Sequence, residues 1–514
     1  MTSAERPASP GSGLSPLPGC GSGRMMGLVK ENVGLLQGAR MNTAIEELLA
    51  IRQLQSPAEN IDLVGQDPVF STRLPLGETT AAVLAAIGIA VNDLWQQQTG
   101  RRQDLRVLVP QAAATLRSYN YFSVEESSAV TRGSVPTPSA ASINWALQQQ
   151  RQRISTPHPT RDGRYFLPHM GLPHLAQRVL DILDCDDDLE SVVKAVSGWD
   201  ALALEDAIAA VDGCGAMVRS ANEWAAHPQG QALAGLPLVE IIKIADSPPE
   251  AAGAGNARPL SGLRVLDLTR ILAGPTCART LAEHGANVLM VTAPHLPQAD
   301  MFVRDTSHGK RSCFLNLDVD SERRTLLNLI RDADVFSQGY RPDVLSKRGL
   351  SPAALAEIRP GIIYTSMNCY GYEGPFAGRA GWEQLAQAVT GLAAEQGDQS
   401  PRLLPAAACD YTTGYLAAYG TLLALGRRAR EGGAYHVRVS LCQSAMFLQR
   451  QRRVEYPAEG MDISRRALND ILKVTDSPYG KIRHLGPVLQ MAETPPRWDL
   501  PSSPLGSHEA TWQT

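Results

Sequence analysis

One segment of this chain occurs twice at a fixed spacing, and the repeat restricts the possible folds more than any other feature. The stretch TTAAVLAAIGIAVNDLWQQQTGRRQDLRVLVPQAA around Thr80 aligns without a gap to YTTGYLAAYGTLLALGRRAREGGAYHVRVSLCQSA from Tyr411, at an offset of 332. Thr80/Thr412, Leu84/Leu416, Gly88/Gly420, Gly100/Gly432, Arg106/Arg438, Val107/Val439 and Gln111/Gln443 are among the identities. Shared alanine content cannot place both glycines and the Arg-Val…Gln run. The unit reads as a long small-residue helix, a glycine turn, a strand and a second helix. Alanine and glycine along such a helix permit close packing against a neighbour.

Length and composition narrow the choice further. A chain of 514 residues predicts more than one domain. Hydrophobic residues make up 44 %, enough for real cores, which excludes a wholly disordered chain. The 48 basic and 52 acidic residues leave a net charge of −4, so nothing favours nucleic acid as a partner. The longest apolar run, Ala81 to Val91, falls short of the ~20 residues a membrane helix needs. The expectation is a soluble cytoplasmic protein, with a mitochondrial or peroxisomal location left open. Eight cysteines with no CxxC pair and no zinc spacing predict reduced, buried thiols and no metal site.

The Gly-, Pro- and Ser-rich residues 1–40 predict a disordered extension. A helical pattern begins near Asn42. The stretch 246–259, DSPPEAAGAGNARP, reads as a linker between a first half, 41–245, and a second half, 260–514. The second half opens with LRVLDL, a buried strand, then a helix ending at Gly285, then the strand ANVLMVT. Further helices and strands alternate through GIIYTSM. An α/β fold with a Rossmann-like parallel sheet follows, joined by the partial repeat and a smaller α+β segment. No GxGxxG follows the first strand, and no P-loop, GxSxG or HExxH occurs.

Asp410 stands at the start of the second repeat helix, behind the small apolar run LLPAAAC. As a structural residue it would be the N-cap. As a functional one it is an anion favoured by the helix dipole, with room for a bulky substrate to reach it, and thus a candidate nucleophile. The aligned residue of the first repeat is Glu78.

The second half resembles the family III CoA-transferases, of the CaiB/BaiF type. The resemblance rests on PLSGLRVLDLTRILAGP, HGANVLMV, GKRSCFLNLD, ADVFSQGYRPDVLSKRGL, RPGIIYTSMNCYGYEGP, GWEQLAQAVTGL and CDYTTGYLAAYGTLLAL, in family order. The first half resembles later parts of the same family, as a truncated copy. The resemblance implies that Asp410 attacks an acyl-CoA thioester to form a mixed anhydride, then an enzyme–CoA thioester, and that a carboxylic acid accepts the CoA. It implies no permanently bound cofactor and no metal, with coenzyme A as substrate. It places CoA contacts at Ile271, Ala273, Leu315, Asn316, Leu317, Gly339, Tyr340 and Lys347. Where the family often carries an acid followed by Arg, this chain has Thr292–Ala293. Glu383 matches an acid that serves proton transfer in related α-methylacyl-CoA racemases; as a structural residue it is a hydrogen-bonding group at a helix start. An acyl-CoA racemase or epimerase and a catalytically weak acyl-CoA-binding relative are the competing readings. Family members are usually interlocked homodimers, so the chain is expected to be a homodimer or a pseudo-dimeric monomer.

Overall fold

The computed structural model describes residues 43–124, 145–253, 257–456 and 460–513. The extension over 1–40 lies outside them, as do three residues of the 246–259 stretch. The first repeat unit consists of strand β1 (Ile61–Val64), helix α1 (Leu76–Thr99), strand β2 (Leu105–Leu108) and helix α2 (Val109–Thr115). Helix α1 is buried from Gly77 to Trp95 except at Glu78, because its alanines let neighbours approach from every side. It stops at Gly100, whose φ of 74° is the left-handed conformation that favours glycine.

A smaller α+β segment follows. Its strands, His158–Pro159, Tyr165–Pro168 and Gly215–Met217, form an antiparallel sheet. Helix α3 (Pro173–Leu183) starts on a proline and buries Leu175, Ala176, Val179, Leu180 and Leu183. Strand β3 (Glu240–Ala245) ends the first half.

The second half runs β4 (Arg264–Leu268), α4 (Ala273–Ala282), β5 (Asn287–Thr292), β6 (Lys310–Phe314), β7 (Val335–Gln338) and β8 (Ile363–Asn368). After these come α5 (Glu383–Thr390), α6 (Ala408–Glu431), β9 (Ala434–Ser440) and α7 (Leu441–Arg450). A hairpin (Leu472–Ser477, Gly480–Leu485) and the short strand β10 (Gln490–Met491) follow. The main sheet has the order β6-β5-β4-β7-β8-β9-β3. Its first six strands are parallel. This is the Rossmann-like order, which reverses direction between β4 and β7 and opens a crevice at the strands' carboxyl ends.

The repeat is visible in three dimensions. Helices α1 and α6 pack on each other. They enter with the same backbone, Pro75 at φ −77°, ψ 65° and Ala407 at φ −79°, ψ 61°. The halves also exchange their closing strands. β3 of the first half runs antiparallel to β9, pairing Glu240 with Arg438. β10 of the second half runs antiparallel to β2, pairing Gln490 with Arg106. Arg106 and Arg438 are equivalent positions of the repeat. Residues on both sides of the 246–259 stretch therefore build the same sheets.

Close packing seats α6 against the crevice. A Cβ on Gly414 would lie 2.4 Å from the Ala273 carbonyl oxygen. Only glycine allows that approach, and it sets the second turn of α6 beside the start of α4. Below the crevice, Lys310 Nζ donates to Asp267 Oδ2 and to the Pro275 carbonyl, both at 2.8 Å. This buried ion pair ties β6, β4 and α4 together.

Candidate active site

Asp410 is not the cap of its helix. α6 begins at Ala408 with Ala407 in the cap position, so Asp410 sits in the first turn. The cap comes from elsewhere in the chain. Glu383, first residue of α5, accepts the N–H of Cys409 at 3.1 Å and that of Asp410 at 2.5 Å. Its Oε1 also takes a 2.6 Å bond from Gln387 Nε2. An external carboxylate on the open N–H groups replaces the N-cap that the alanines lack.

The two acids are 8 % and 5 % exposed. Burial, and then the neighbouring Glu383, hold the Asp410 carboxyl well above the usual carboxylate range. Burial also raises Glu383, while its bonds from Gln387, Asp410 and Cys409 pull it back. Among the described residues nothing donates a hydrogen bond to the Asp410 carboxylate. Both carboxyls therefore hold their protons more tightly than free ones, Asp410 without a hydrogen bond to offset the shift.

The first half supplies walls to this site. The Tyr119 phenol is pushed up to about 12 by burial and then by Glu383 and Asp410. Its ring meets Phe302 edge-on at 5.0 Å. The Tyr119 N–H bonds the Tyr411 hydroxyl at 3.2 Å, and that hydroxyl donates to Asp305 at 3.1 Å. His169 stacks on Trp382 at 4.6 Å, and its Nε2 lies 3.1 Å from Gln384 Oε1. It thus grips the residues on both sides of Glu383. Burial lowers its pKa to about 4, so the ring is neutral. Sequence reasoning missed both residues, because they come from a half that carries no motif of the site.

Four cysteines surround the pair. Cys442 N–H donates to the Cys369 carbonyl at 2.9 Å. Cys369 Sγ lies 3.7 Å from the Trp382 carbonyl. Burial pushes the thiols of Cys369 and Cys409 well up and that of Cys214 to about 12. These are protonated and poor nucleophiles. Among the described residues all seven cysteines are free, and no cluster of His, Cys, Asp and Glu is arranged to hold a metal ion.

The equivalent corner of the first half has the same construction. Asp67 accepts the N–H of Gly77 at 3.2 Å and of Glu78 at 2.6 Å. These are the repeat equivalents of Cys409 and Asp410. Burial raises Asp67 to about 6, against bonds from Glu78, Gly77 and Val69. Glu78 differs from Asp410 in being engaged: Arg452 Nη2 bonds it at 3.0 and 3.1 Å.

The candidate CoA positions all follow strands of the main sheet. Ile271 and Ala273 follow β4, and Gly339 and Tyr340 follow β7, so these four meet at the switch point. Ile271 has φ 71°, a strained value for a β-branched residue, and this bends the chain into α4. Leu315, Asn316 and Leu317 follow β6, two strands away from that point. Asn316 N–H is tied to Glu322 at 2.6 Å. Lys347 is exposed on a short 3-10 turn, Ser346–Arg348. Beside the switch point Arg270 Nε, Gln298 Oε1 and Thr276 Oγ1 are buried without a partner.

An open parallel sheet with a crevice at its switch point, and a buried pair of acids beside it, define an α/β protein of Rossmann-like class. Residues 260–472 match the model of CoA-transferase family III. An acetyl-coenzyme A transferase, nodX, of Hypoxylon pulicicidum is 35 % identical over 317 residues, 57 % of this chain and 54 % of that protein. An acyl-CoA transferase of Gibberella moniliformis is 28 % identical over 421 residues, 70 % and 74 %. The succinyl-CoA–L-malate CoA-transferase beta subunit of Chloroflexus aurantiacus is 34 % identical over 207 residues, 37 % and 51 %. The chain thus spans 54 % and 51 % of the length of two of these relatives and 74 % of the third. No helix among the described residues is long and apolar enough to cross a membrane.

Proposed function

We propose that the chain transfers CoA from an acyl-CoA to a carboxylic acid, with Asp410 as nucleophile. One observation carries this reading above the others: the Asp410 carboxylate is buried, free of hydrogen-bond donors among the described residues, and backed by a second acid that fixes its helix turn. The transferase names of the relatives support it, and they do not favour the racemase reading.

Asp410, once ionised, attacks the thioester carbonyl. The C–S bond breaks, CoA leaves as thiolate, and a mixed anhydride forms. The thiolate returns to the aspartyl carbonyl and releases the donor as its carboxylate. The acceptor carboxylate attacks the resulting aspartyl thioester, and the freed thiolate then takes the acceptor's acyl carbon. Anhydride and thioester have comparable group potential, so each step is near balance provided water is kept out. Burial among Tyr119, Cys369 and alanines excludes water here. Glu383 acts as a positioning residue, since it holds the turn without facing the thioester. No step in this route calls for a metal or redox group, and CoA enters as substrate.

Mass spectrometry tests the reading. The protein would be incubated with a panel of acyl-CoAs and quenched with hydroxylamine. A hydroxamate at Asp410, absent in Asp410→Ala, is the expected result. No adduct with any donor, in a protein shown to bind acyl-CoA, would leave the binding-only reading.

A further inference from the structure

On the reading that Asp410 is the nucleophile, we propose that His169 of the first half is a positioning residue for the reaction. Through Trp382 and Gln384 it sets Glu383, and through Glu383 the turn that carries Asp410. His169 directly follows the strand Tyr165–Pro168, and its N–H bonds the Cys214 carbonyl at 2.9 Å. Its backbone therefore belongs to the small antiparallel sheet. The side chain is buried and held on several sides. A Cβ on Gly171 would lie 2.7 Å from Cε1 and displace the ring. The Gly171 N–H points to Nδ1 at 3.4 Å, so Nδ1 is the acceptor. Nε2 then carries the proton and donates it to Gln384 Oε1 at 3.1 Å. The ring face lies on Trp382 with the two planes 23° apart. One side chain thus makes a stacking contact with the residue before Glu383 and a hydrogen bond with the residue after it.

The far end of α5 is held by the same small segment. The Arg219 N–H donates to the Ala388 carbonyl at 3.0 Å, and a Cβ on Gly391 would lie 2.4 Å from the Ala221 nitrogen. The helix is therefore carried on the first half at both ends. It passes that register to the second half through two side chains. Glu383 accepts the N–H groups of Cys409 and Asp410, and Gln387 Oε1 accepts the Leu404 N–H at 2.7 Å. Hydrogen bonds of this kind weaken steeply once distance or angle departs from the optimum. A shift of about 1 Å at the start of α5 is enough to lose one of them and to misplace the reacting carboxylate. His169 is the contact that prevents such a shift, because it alone spans Glu383 on both sides.

Hydrogen exchange and steady-state kinetics on the full chain test this, with a panel of acyl-CoAs as donors. In His169→Ala the amides of Cys409 and Asp410 should exchange about tenfold faster or more, while those of Leu422 to Leu425 in the same helix keep the wild-type rate. kcat should fall about tenfold to a hundredfold, with KM for acyl-CoA within about twofold of the wild type. His169→Phe keeps the stacking and His169→Gln keeps a donor for Gln384, so each should recover part of kcat. Gln384→Leu should match His169→Phe, and the two together should cost no more than either alone. Exchange that rises equally along α6, or KM that rises as much as kcat falls, would make His169 a structural residue only and overturn the proposal. If His169→Ala fails to fold, His169→Phe and Gln384→Leu decide by the same two readouts. A wild type with no turnover on any acyl-CoA would sink the transferase reading, and exchange at Cys409 and Asp410 would still decide whether His169 holds their turn.

Discussion

The Glu383 carboxylate accepts the peptide N–H of Asp410 at 2.5 Å, so one buried acid holds the turn on which the other stands. The two also repel, and no cation lies among the causes that shift Asp410. Reactivity and stability are therefore opposed at this corner.

Asp410→Asn keeps the shape and removes the charge. Turnover should fall by about 10³-fold or more, since an amide at this position cannot form the anhydride. The fold should gain. A carboxyl whose folded pKa is raised binds more protons folded than unfolded, so its cost grows as pH rises above about 4. The melting temperature should rise by about 1–2 °C at pH 8 and by less at pH 5. Thermal unfolding at the two pH values checks the sign.

The same shift sets the acid limb of the rate. Asp410 must lose its proton to attack, so kcat/KM should climb about tenfold per pH unit below its raised pKa. Glu383→Gln removes the neighbouring charge and should move the limb to lower pH, while lower overall rates report the weakened cap. A limb that stays in place would show that Glu383 does not act on Asp410 through charge.

Only one repeat should turn over. Glu78 stands where Asp410 does, but Arg452 engages both its oxygens. Single-turnover labelling should give one acyl or CoA equivalent per chain. Glu78→Gln should leave that stoichiometry unchanged. Two equivalents per chain would mean that the first copy is active.

Gly414 tests the seating of α6. Gly414→Ala drives a methyl to 2.4 Å from the Ala273 oxygen and should cost about 1–3 kcal/mol of stability together with most of the activity. Gly426, in the same helix, meets only the flexible tips of Arg430 and Leu94. Gly426→Ala should stabilise by about 0.5–1 kcal/mol and serves as the control in denaturant titrations.

The parallel sheet was readable because its strands are buried on both faces and appear as short apolar runs between glycines. LRVLDL and ANVLMVT became β4 and β5, and Gly285 ended the helix between them with φ 108°. The repeat predicted α1 and α6 from glycine and alanine spacing. Two things escaped. Asp410 looked like a cap, because its true cap, Glu383, lies 27 residues away in the sequence and reaches the helix only through the fold. The symmetry of the acids was equally hidden: Glu78 aligns with Asp410, but Asp67 and Glu383 do not share the offset and become equivalent only by accepting the same pair of N–H groups. Tyr119 and His169 were out of reach for a related reason. They belong to the other copy, and local pattern carries no information about which distant segment will line a site.

The exchanged strands also set an order of events during synthesis. β2 is made early, yet its antiparallel partner β10 leaves the ribosome about 380 residues later. Until then the edge of β2 is open, and the sheet beside it cannot close. β3 faces the reverse delay, waiting for β9 to be translated. Such long-range pairing is slow to form, so both strand edges stay exposed until their partners are released.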